Sequence, residues 1–225
     1  VVISVSEATK RGILEYFDIN EAKIKVIPLG TYLTKPSFSS ELTQILPKRY
    51  ILFVGRRDFY KNFDRFFEAI TPILHKDSDL HLICAGGGGF IKEEKKAISL
   101  AKLERQVEYH PIVDDSTLGQ LYGKAQVFVF PSLMEGFGLP VLEAMSCGCP
   151  VALTTGTSFD EIAEDAAVYF EPEQIDSIKA AIEQVVYNDT LQNSMRLRGY
   201  ERVPLFKAET TAQRTLEAYK ELVNI

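Results

Sequence analysis

Short apolar runs alternate with stretches of helical period along nearly the whole chain, and this alternation limits the fold more than any other feature of the sequence. The runs fall at 1–5, 24–27, Tyr50–Val54, Leu80–Ala85, Val107–Tyr109, 127–130, 151–154 and Ala167–Phe170. Helical periods lie between them, over Ser6–Phe17, Asn62 to about Leu74, 90–102, 114–124 and 158–163, and three more at 174–188, 190–200 and 208–224 close the chain. Runs this short and this apolar suit strands buried on both faces, and each helical crossover has to pack back onto the sheet. The expected fold class is therefore α/β, a parallel sheet with helices on both faces. Ligands of such sheets sit beyond the carboxyl ends of the strands. A polar, proline-bearing segment from Gly30 to Pro47 reads as a linker.

At 225 residues and 46% hydrophobic, the chain can bury a substantial core. A formal charge of -6 supplies no general basic field, which argues against the nucleic-acid backbone as a partner, so any anion must be held locally. Cys84, Cys147 and Cys149 have no metal-like spacing, and the C-x-C pair is too close for an ordinary structural disulfide, which points to a reducing compartment. No signal peptide or membrane-spanning apolar run is visible, so the Asn188-Asp-Thr190 sequon reads as an accident of a helix end. The chain opens in mid-strand with Val1-Val-Ile-Ser-Val-Ser6, as a fragment of something larger would.

The most informative segment is Pro131-Ser-Leu-Met-Glu-Gly-Phe-Gly-Leu-Pro-Val-Leu-Glu-Ala-Met145, which follows the apolar run Val127–Phe130. Pro140 fits the first turn of a helix, where its missing N–H costs nothing. The motif is thus strand, loop, helix, with the free N–H groups of Gly136, Phe137 and Gly138 and the positive helix end offering a place for an anion. Glu143 lies about one turn into the helix, and helical side chains lean toward the N-terminus, so its carboxylate reaches back to the pocket that Glu135 enters from the loop. Ionised carboxylates only accept, which suits neighbouring hydroxyls of a ribose diol or hexose. The competing account is a helix start made acidic by its dipole; the spacing with Gly136 and Gly138 favours binding.

Val54-Gly-Arg-Arg-Asp-Phe-Tyr-Lys-Asn62 is a second strand end, followed by a cationic loop and a helix that Asn62 is placed to cap. Arg56 with Lys61 can clamp a diphosphate from two sides, with a planar fork and a point charge. The glycines of Cys84-Ala-Gly-Gly-Gly-Gly-Phe90 miss the dinucleotide spacing and follow an interior strand, so they read as a loop that lets backbone approach a ligand, or as a flexible turn. Asp77-Ser-Asp79 has the D-x-D form of metal-dependent sugar transferases but falls at the opposite edge of the sheet, where Asp and Ser form turns, so no metal site is expected. A lone histidine, His110, is more often an ordinary hydrogen-bonded group than a catalyst, although Tyr109-His-Pro-Ile-Val113 is placed to line a base pocket.

Taken together, Gly55-Arg56 with Lys61, the Glu135-x7-Glu143 pair around Gly-Phe-Gly, and the segment from Ser158-Phe-Asp-Glu161 to Asp165-Ala166 resemble the C-terminal half of a family 4 glycosyltransferase of the GT-B fold, a Rossmann-like domain. The likeness spans nearly the whole chain in motif order and strand-end placement. It implies that residues 1–34 are the last strand, helix and hinge of an N-terminal domain, 35–206 the nucleotide-sugar-binding domain, and 207–225 a helix crossing back. It also implies transfer of a hexose from a nucleotide-diphosphate sugar (UDP- or GDP-linked) with retained configuration, and no metal or other cofactor. By the same likeness Arg56 and Lys61 would hold the donor diphosphate and offset charge on the leaving nucleotide. Glu135 would meet hydroxyls of the transferred sugar, Glu143 the ribose diol, and the amides of Gly136, Phe137, Gly138 and Leu139 the sugar and phosphate. His110 and Ile112 would flank the base, and Gly55 would open the diphosphate loop. The acceptor, a glycan or lipid-linked sugar, would be held mainly by the N-terminal domain, in a cytoplasmic protein peripheral to the inner membrane face.

The sequence departs from the family pattern at His110-Pro111, where a leucine-glycine type pair is common, and at Pro28-Leu-Gly-Thr31, which replaces an asparagine-glycine turn. Alternatives are a sugar-nucleotide epimerase on the same scaffold, a non-catalytic nucleotide-sugar-binding module, and a glycosidase using Glu135 and Glu143 as acid and nucleophile. The last conflicts with a positive helix end that keeps carboxylates ionised.

Overall fold

The strands pair in the order β5-β4-β3-β6-β7-β8, all parallel, in a computed structural model that describes residues 1–32 and 46–223. They are β3 (Arg49–Val54), β4 (Leu80–Ala85), β5 (Val107–His110), β6 (Val127–Phe130), β7 (Val151–Thr154) and β8 (Ala167–Phe170). Apart from them, β1 (Val2–Ser4) and β2 (Ile24–Val26) form a two-stranded parallel sheet. Four of the sequence-derived strands agree to the residue, whereas β1 is shorter than 1–5 and β3 takes in Arg49. Most of the linker segment, 33–45, lies outside the described residues.

Alternation along each strand divides the core into two layers. Ile51, Phe53, Leu82, Cys84, Val127 and Val129 face one way, with α2 (Phe63–Lys76) and α7 (Ile175–Val186) packed on them. Leu52, Val54, Ile83, Phe128, Phe130 and Leu153 face the other way, covered by α4 (Asp115–Lys124), α5 (Leu139–Ser146) and the short α6 (Phe159–Ala163). Every strand residue named here is within 8% of full burial. At about 25 cal/mol per Å² of apolar surface, such a two-sided sheet supplies most of the drive to fold.

Chain order sets the place of the site. From β3 the chain winds outward through β4 to β5, then returns to β6 beside β3 and winds the other way through β7 to β8. The connections after β3 and β6 therefore part in opposite directions and leave a crevice at their carboxyl ends, the topological switch point of an open α/β sheet. The two motifs singled out in the sequence, after Val54 and after Phe130, are the two that begin there.

Helices α1 (Glu7–Tyr16), α3 (Lys92–Leu100), α8 (Asp189–Arg202) and α9 (Ala208–Val223) complete the described chain. The segment from Thr31 meets the start of α9: Thr31 bridges Lys207, and a side chain at Gly30 would come within 2.2 Å of the Ala208 nitrogen. Farther along α9, the Thr211 hydroxyl donates to the Pro28 carbonyl at 2.7 Å and Glu221 pairs with Lys25. No helix among the described residues is long and apolar enough to cross a membrane.

Candidate functional site

Lys61 and Glu135 meet. The ammonium lies 2.5 Å from the Glu135 carboxylate, with the two side chains 14% and 15% exposed. The rings of Phe130 and Tyr60 lie 4.7 and 5.0 Å from the same ammonium, so its charge is held by a carboxylate and two aromatic faces. The Leu133 amide donates to the Tyr60 carbonyl at 2.7 Å, which fastens the loop after β6 to the loop after β3 by backbone as well. Two segments separated by more than seventy residues thus form one wall of the crevice.

Arg56 and Arg57, adjacent in sequence, have opposite surroundings. The Arg56 side chain is 77% exposed and pairs with Asp58 at 2.6 Å, while that of Arg57 is 3% exposed. An exposed ion pair of the first kind is worth about 0–1 kcal/mol, so Arg56 is readily available to an incoming anion. Gly55, with φ of +122°, turns the chain between Val54 and this arginine. Asn62 occupies the position before α2 but does not cap it, contrary to the sequence expectation. It sits in the left-handed region at φ 57°, and its side-chain amide donates instead to the Pro172 carbonyl at 2.7 Å.

The Gly-Phe-Gly turn is held by its carbonyls. Ser158 Oγ donates to the Glu135 and Phe137 carbonyls at 3.1 and 2.6 Å, and Ser6 Oγ and Thr9 Oγ1 donate to the Gly136 carbonyl at 2.6 and 2.8 Å. In a trans peptide the carbonyl and the following N–H point opposite ways, so the Gly136, Phe137 and Gly138 amides are aimed away from these anchors. Among the described residues nothing accepts a hydrogen bond from those amides. Gly138 needs its lack of side chain: φ is +114°, and a Cβ there would lie 2.6 Å from the Phe159 ring. Leu139 then opens α5, with Pro140 in its first turn as expected.

Glu143, in the second turn of α5, reaches the Tyr122 hydroxyl at 3.4 Å, a long contact. Burial pushes its carboxyl above the ordinary value of 4.5, the Tyr122 hydroxyl acts the other way, and the nearby Asp115 charge adds to the rise. For Glu143 the net shift is therefore upward, opposite to the direction expected from the sequence argument for a carboxylate at a positive helix end, and desolvation is its largest cause.

Ile112 lies beside the glycine loop, 3.3 Å from where a Gly86 Cβ would be, and Gly87 is pressed against the Gly55 carbonyl. His110, at the end of β5, contacts Glu108 Oε2 at 3.3 Å, and Glu108 in turn holds His81 at 3.1 Å. Asp77 pairs with Arg49 at 2.9 Å, at the amino end of β3 and so across the sheet from the crevice.

Sequence reasoning missed the anchors Ser6 and Thr9 and the part played by Ser158 and Glu161, whose segment it used only as a mark of likeness. Glu161 accepts from the Glu7 and Ala8 amides at 2.8 and 2.6 Å, holding the start of α1 against the site. The one available signal was local, the S-x-x-T spacing of a helix cap at Ser6, where the hydroxyl does accept from the Thr9 amide. Glu135 also lines a cavity of about 610 Å³ between α1 and its loop, together with Thr9, Ile13, Tyr16, Met134 and Gly156.

The arrangement can cradle an anion with free amides and an exposed arginine, and can accept hydroxyl protons at two carboxylates. The chain is similar to known sugar transferases. Over 99% of its length the chain is 30% identical to the O-antigen chain mannosyltransferase B of Escherichia coli, of which it spans 61%. Against the serotype-specific mannosyltransferase WbdA of Escherichia coli it is 24% identical over 99% of its length and spans 29% of that protein. Sucrose-phosphate synthase from Thermosynechococcus elongatus shares the fold with a TM-score of 0.85 at 23% identity, covering 99% of this chain and 58% of that one. Anabaena HepE in complex with UDP and glucose does so at 0.80 and 22%, covering 98% and 63%. The sequence model described as glycosyl transferases group 1 matches residues 35–202. The fold is that of GT-B glycosyltransferases, and the chain belongs to the group 1 glycosyl transferases.

Proposed function

We propose that this chain is the donor-binding part of a family 4 retaining glycosyltransferase that moves a hexose from a UDP- or GDP-sugar to a glycan or lipid-linked acceptor. The observation that carries the reading is the Lys61–Glu135 contact at the switch point, which puts a cation beside a carboxylate where open α/β sheets bind ligands. Arg56 and Lys61 take the diphosphate, and as the glycosidic bond breaks they stabilise the charge gathering on the leaving nucleotide. Glu135, oriented by Lys61, accepts from hydroxyls of the transferred sugar. The amides of Gly136 to Leu139 meet sugar and phosphate, Glu143 holds the ribose diol, and His110 and Ile112 flank the base. The cavity beside Glu135 has the size of a small-molecule site and gives room for the acceptor end of the reaction.

Mannosyltransferases among the relatives favour mannose as the hexose, and HepE with UDP and glucose supports a nucleoside diphosphate as the handle. Retention of configuration and independence of metal follow from the family 4 likeness. Residues 1–34 and 207–225 are assigned to the hinge and crossing helix of a two-domain enzyme, cytoplasmic and peripheral to the inner membrane face.

Calorimetry of the chain with UDP, GDP and ADP tests the core of this reading. One nucleotide binds, and Arg56→Ala or Lys61→Ala weakens it by at least about tenfold, the loss of one charge-assisted contact. Binding by none of the three would overturn it.

A further inference from the structure

Arg57 is buried at the edge of the proposed site without facing the crevice wall that Lys61 and Glu135 form. Its Nε donates to Glu94 Oε1 at 2.8 Å, Nη1 to the Gly86 carbonyl at 3.2 Å, and Nη2 to the Gly88 and Gly89 carbonyls at 2.7 and 3.1 Å. The guanidinium also lies over three rings, Phe90 at 5.1 Å, Tyr109 at 5.8 Å and Phe63 at 6.0 Å. One side chain therefore ties together the loop after β3, the glycine loop after β4 and the end of β5.

The glycine loop needs such a tie. Gly86, Gly87 and Gly88 all have positive φ, at 71°, 67° and 85°, and Gly87 and Gly88 are exposed. Its carbonyls converge on Arg57, so by the peptide-plane argument the amides of Gly87, Gly89 and Phe90 point away from the guanidinium. Among the described residues nothing accepts from those amides. A Cβ on Gly87 would lie 2.5 Å from the Gly55 carbonyl and 2.7 Å from Arg56 Cα, so the loop rests directly on the residues that present Arg56.

We propose that Arg57 is a positioning residue for donor binding: by collecting the carbonyls of the Gly86–Gly89 loop it sets that loop, with its amides free, against Gly55 and Arg56 in the nucleotide-diphosphate site. The inference rests on the donor-binding reading above and adds a second backbone cradle to it. Lysine cannot replace this arginine, because a point charge with a flexible stem cannot serve four acceptors spread around a plane. Glu94 contributes the remaining corner, since its second oxygen accepts from the Ile91 amide at 2.8 Å and so fixes the far end of the loop.

The test combines calorimetry with hydrogen exchange on the wild-type chain and the variants Arg56→Ala, Arg57→Lys and Glu94→Gln, using UDP, GDP and ADP as probes. For the nucleotide that binds, Arg57→Lys weakens affinity by about tenfold, in the range of losing a hydrogen bond to a charged group. It also speeds amide exchange at 86–90 while β3, β4 and β6 keep their wild-type protection. Glu94→Gln falls between wild type and Arg57→Lys in both measurements, and nucleotide slows exchange at 86–90 in the wild type. Wild-type affinity in Arg57→Lys alongside weakened binding in Arg56→Ala would overturn this inference and leave the donor-binding reading standing. Weakened affinity with unchanged exchange at 86–90, or with protection lost throughout the sheet, would also overturn it. No binding by the wild type would remove both.

Discussion

Glu143 shows how one half-buried carboxylate can carry a pH signature. Its folded-state value is raised, with burial as the largest cause, so the fold favours the protonated form. The resulting contribution to stability is fully present below the ordinary value of 4.5 and is lost as pH rises through the raised value. In the proposed role of Glu143 ligand binding has the opposite sign, because a ribose diol donating to the carboxylate would favour the ionised form. Nucleotide affinity of the wild type therefore rises as pH increases from about 4 through the Glu143 transition and then levels off. Glu143→Gln, which removes the titration, flattens this part of the profile and lowers the plateau affinity. Calorimetric dissociation constants across that range check it, and a variant profile parallel to the wild type would count against the role given to Glu143. The two arginines teach a related lesson at the same scale. The sequence reading takes Arg56 rather than Arg57 for the diphosphate, and the partners supplied by residues 86–94 show that Arg57 is already engaged while Arg56 is exposed.

At the scale of elements, α1 is held by its polar start. None of its residues is buried, so apolar contact offers little attachment. What fixes it to the sheet ends is the Ser6 and Thr9 grip on the Gly136 carbonyl and the Glu161 carboxylate on the Glu7 and Ala8 amides. A carboxylate at a helix start gains from both the free amides and the dipole. Glu161→Ala is therefore expected to cost about 1–3 kcal/mol in urea unfolding and, by loosening the Gly136 anchor, to weaken nucleotide binding as well. Unchanged affinity with lowered stability would separate α1 from the site. Much at this level was legible beforehand. Strands β4, β6, β7 and β8 were read to the residue because fully buried runs bounded by polar turns leave little freedom at their ends. That Lys61 and Glu135 follow the carboxyl ends of strands was legible from the alternation, whereas the pairing of β3 with β6 that makes those ends neighbours came with the fold. Contacts such as Ser158 with the Phe137 carbonyl, or Asn62 with the Pro172 carbonyl, were not legible, because they join segments that only the completed fold brings together. The left-handed turn at Asn62 belongs with them: the same residue type caps helices and adopts positive φ, and local pattern does not choose between the two.

Across the whole molecule, burial is uneven, and stability should follow it. The six-stranded sheet keeps Ile51, Leu52, Phe53, Leu82, Ile83, Phe128 and Val129 at 0% exposure between two layers of helices. The assembly of β1, β2, α1 and α9 has a far thinner core: Ile24 and Ile27 are its buried large apolar residues among those described, while α9 buries only Ala208 and Ala218. Beyond Val5 and Leu29, which pack in part against the main core, its ties are polar, chiefly Lys25 with Glu221 and Thr211 with the Pro28 carbonyl. Surface ion pairs of this kind contribute about 0–1 kcal/mol each. Regions with little buried apolar contact open through fluctuations below the global unfolding energy. Native-state hydrogen exchange should therefore show amides of residues 1–26 and 208–223 opening at free energies about 2 kcal/mol or more below those of β3, β4 and β6, with a weaker urea dependence because less surface is exposed. Nucleotide should narrow the gap at the start of α1 more than along α9, since the turn proposed to receive the ligand is the one that Ser6 and Thr9 hold. Equal opening energies in the two regions would mean that the polar ties join both parts into one cooperative unit, and the thin-core argument would fail.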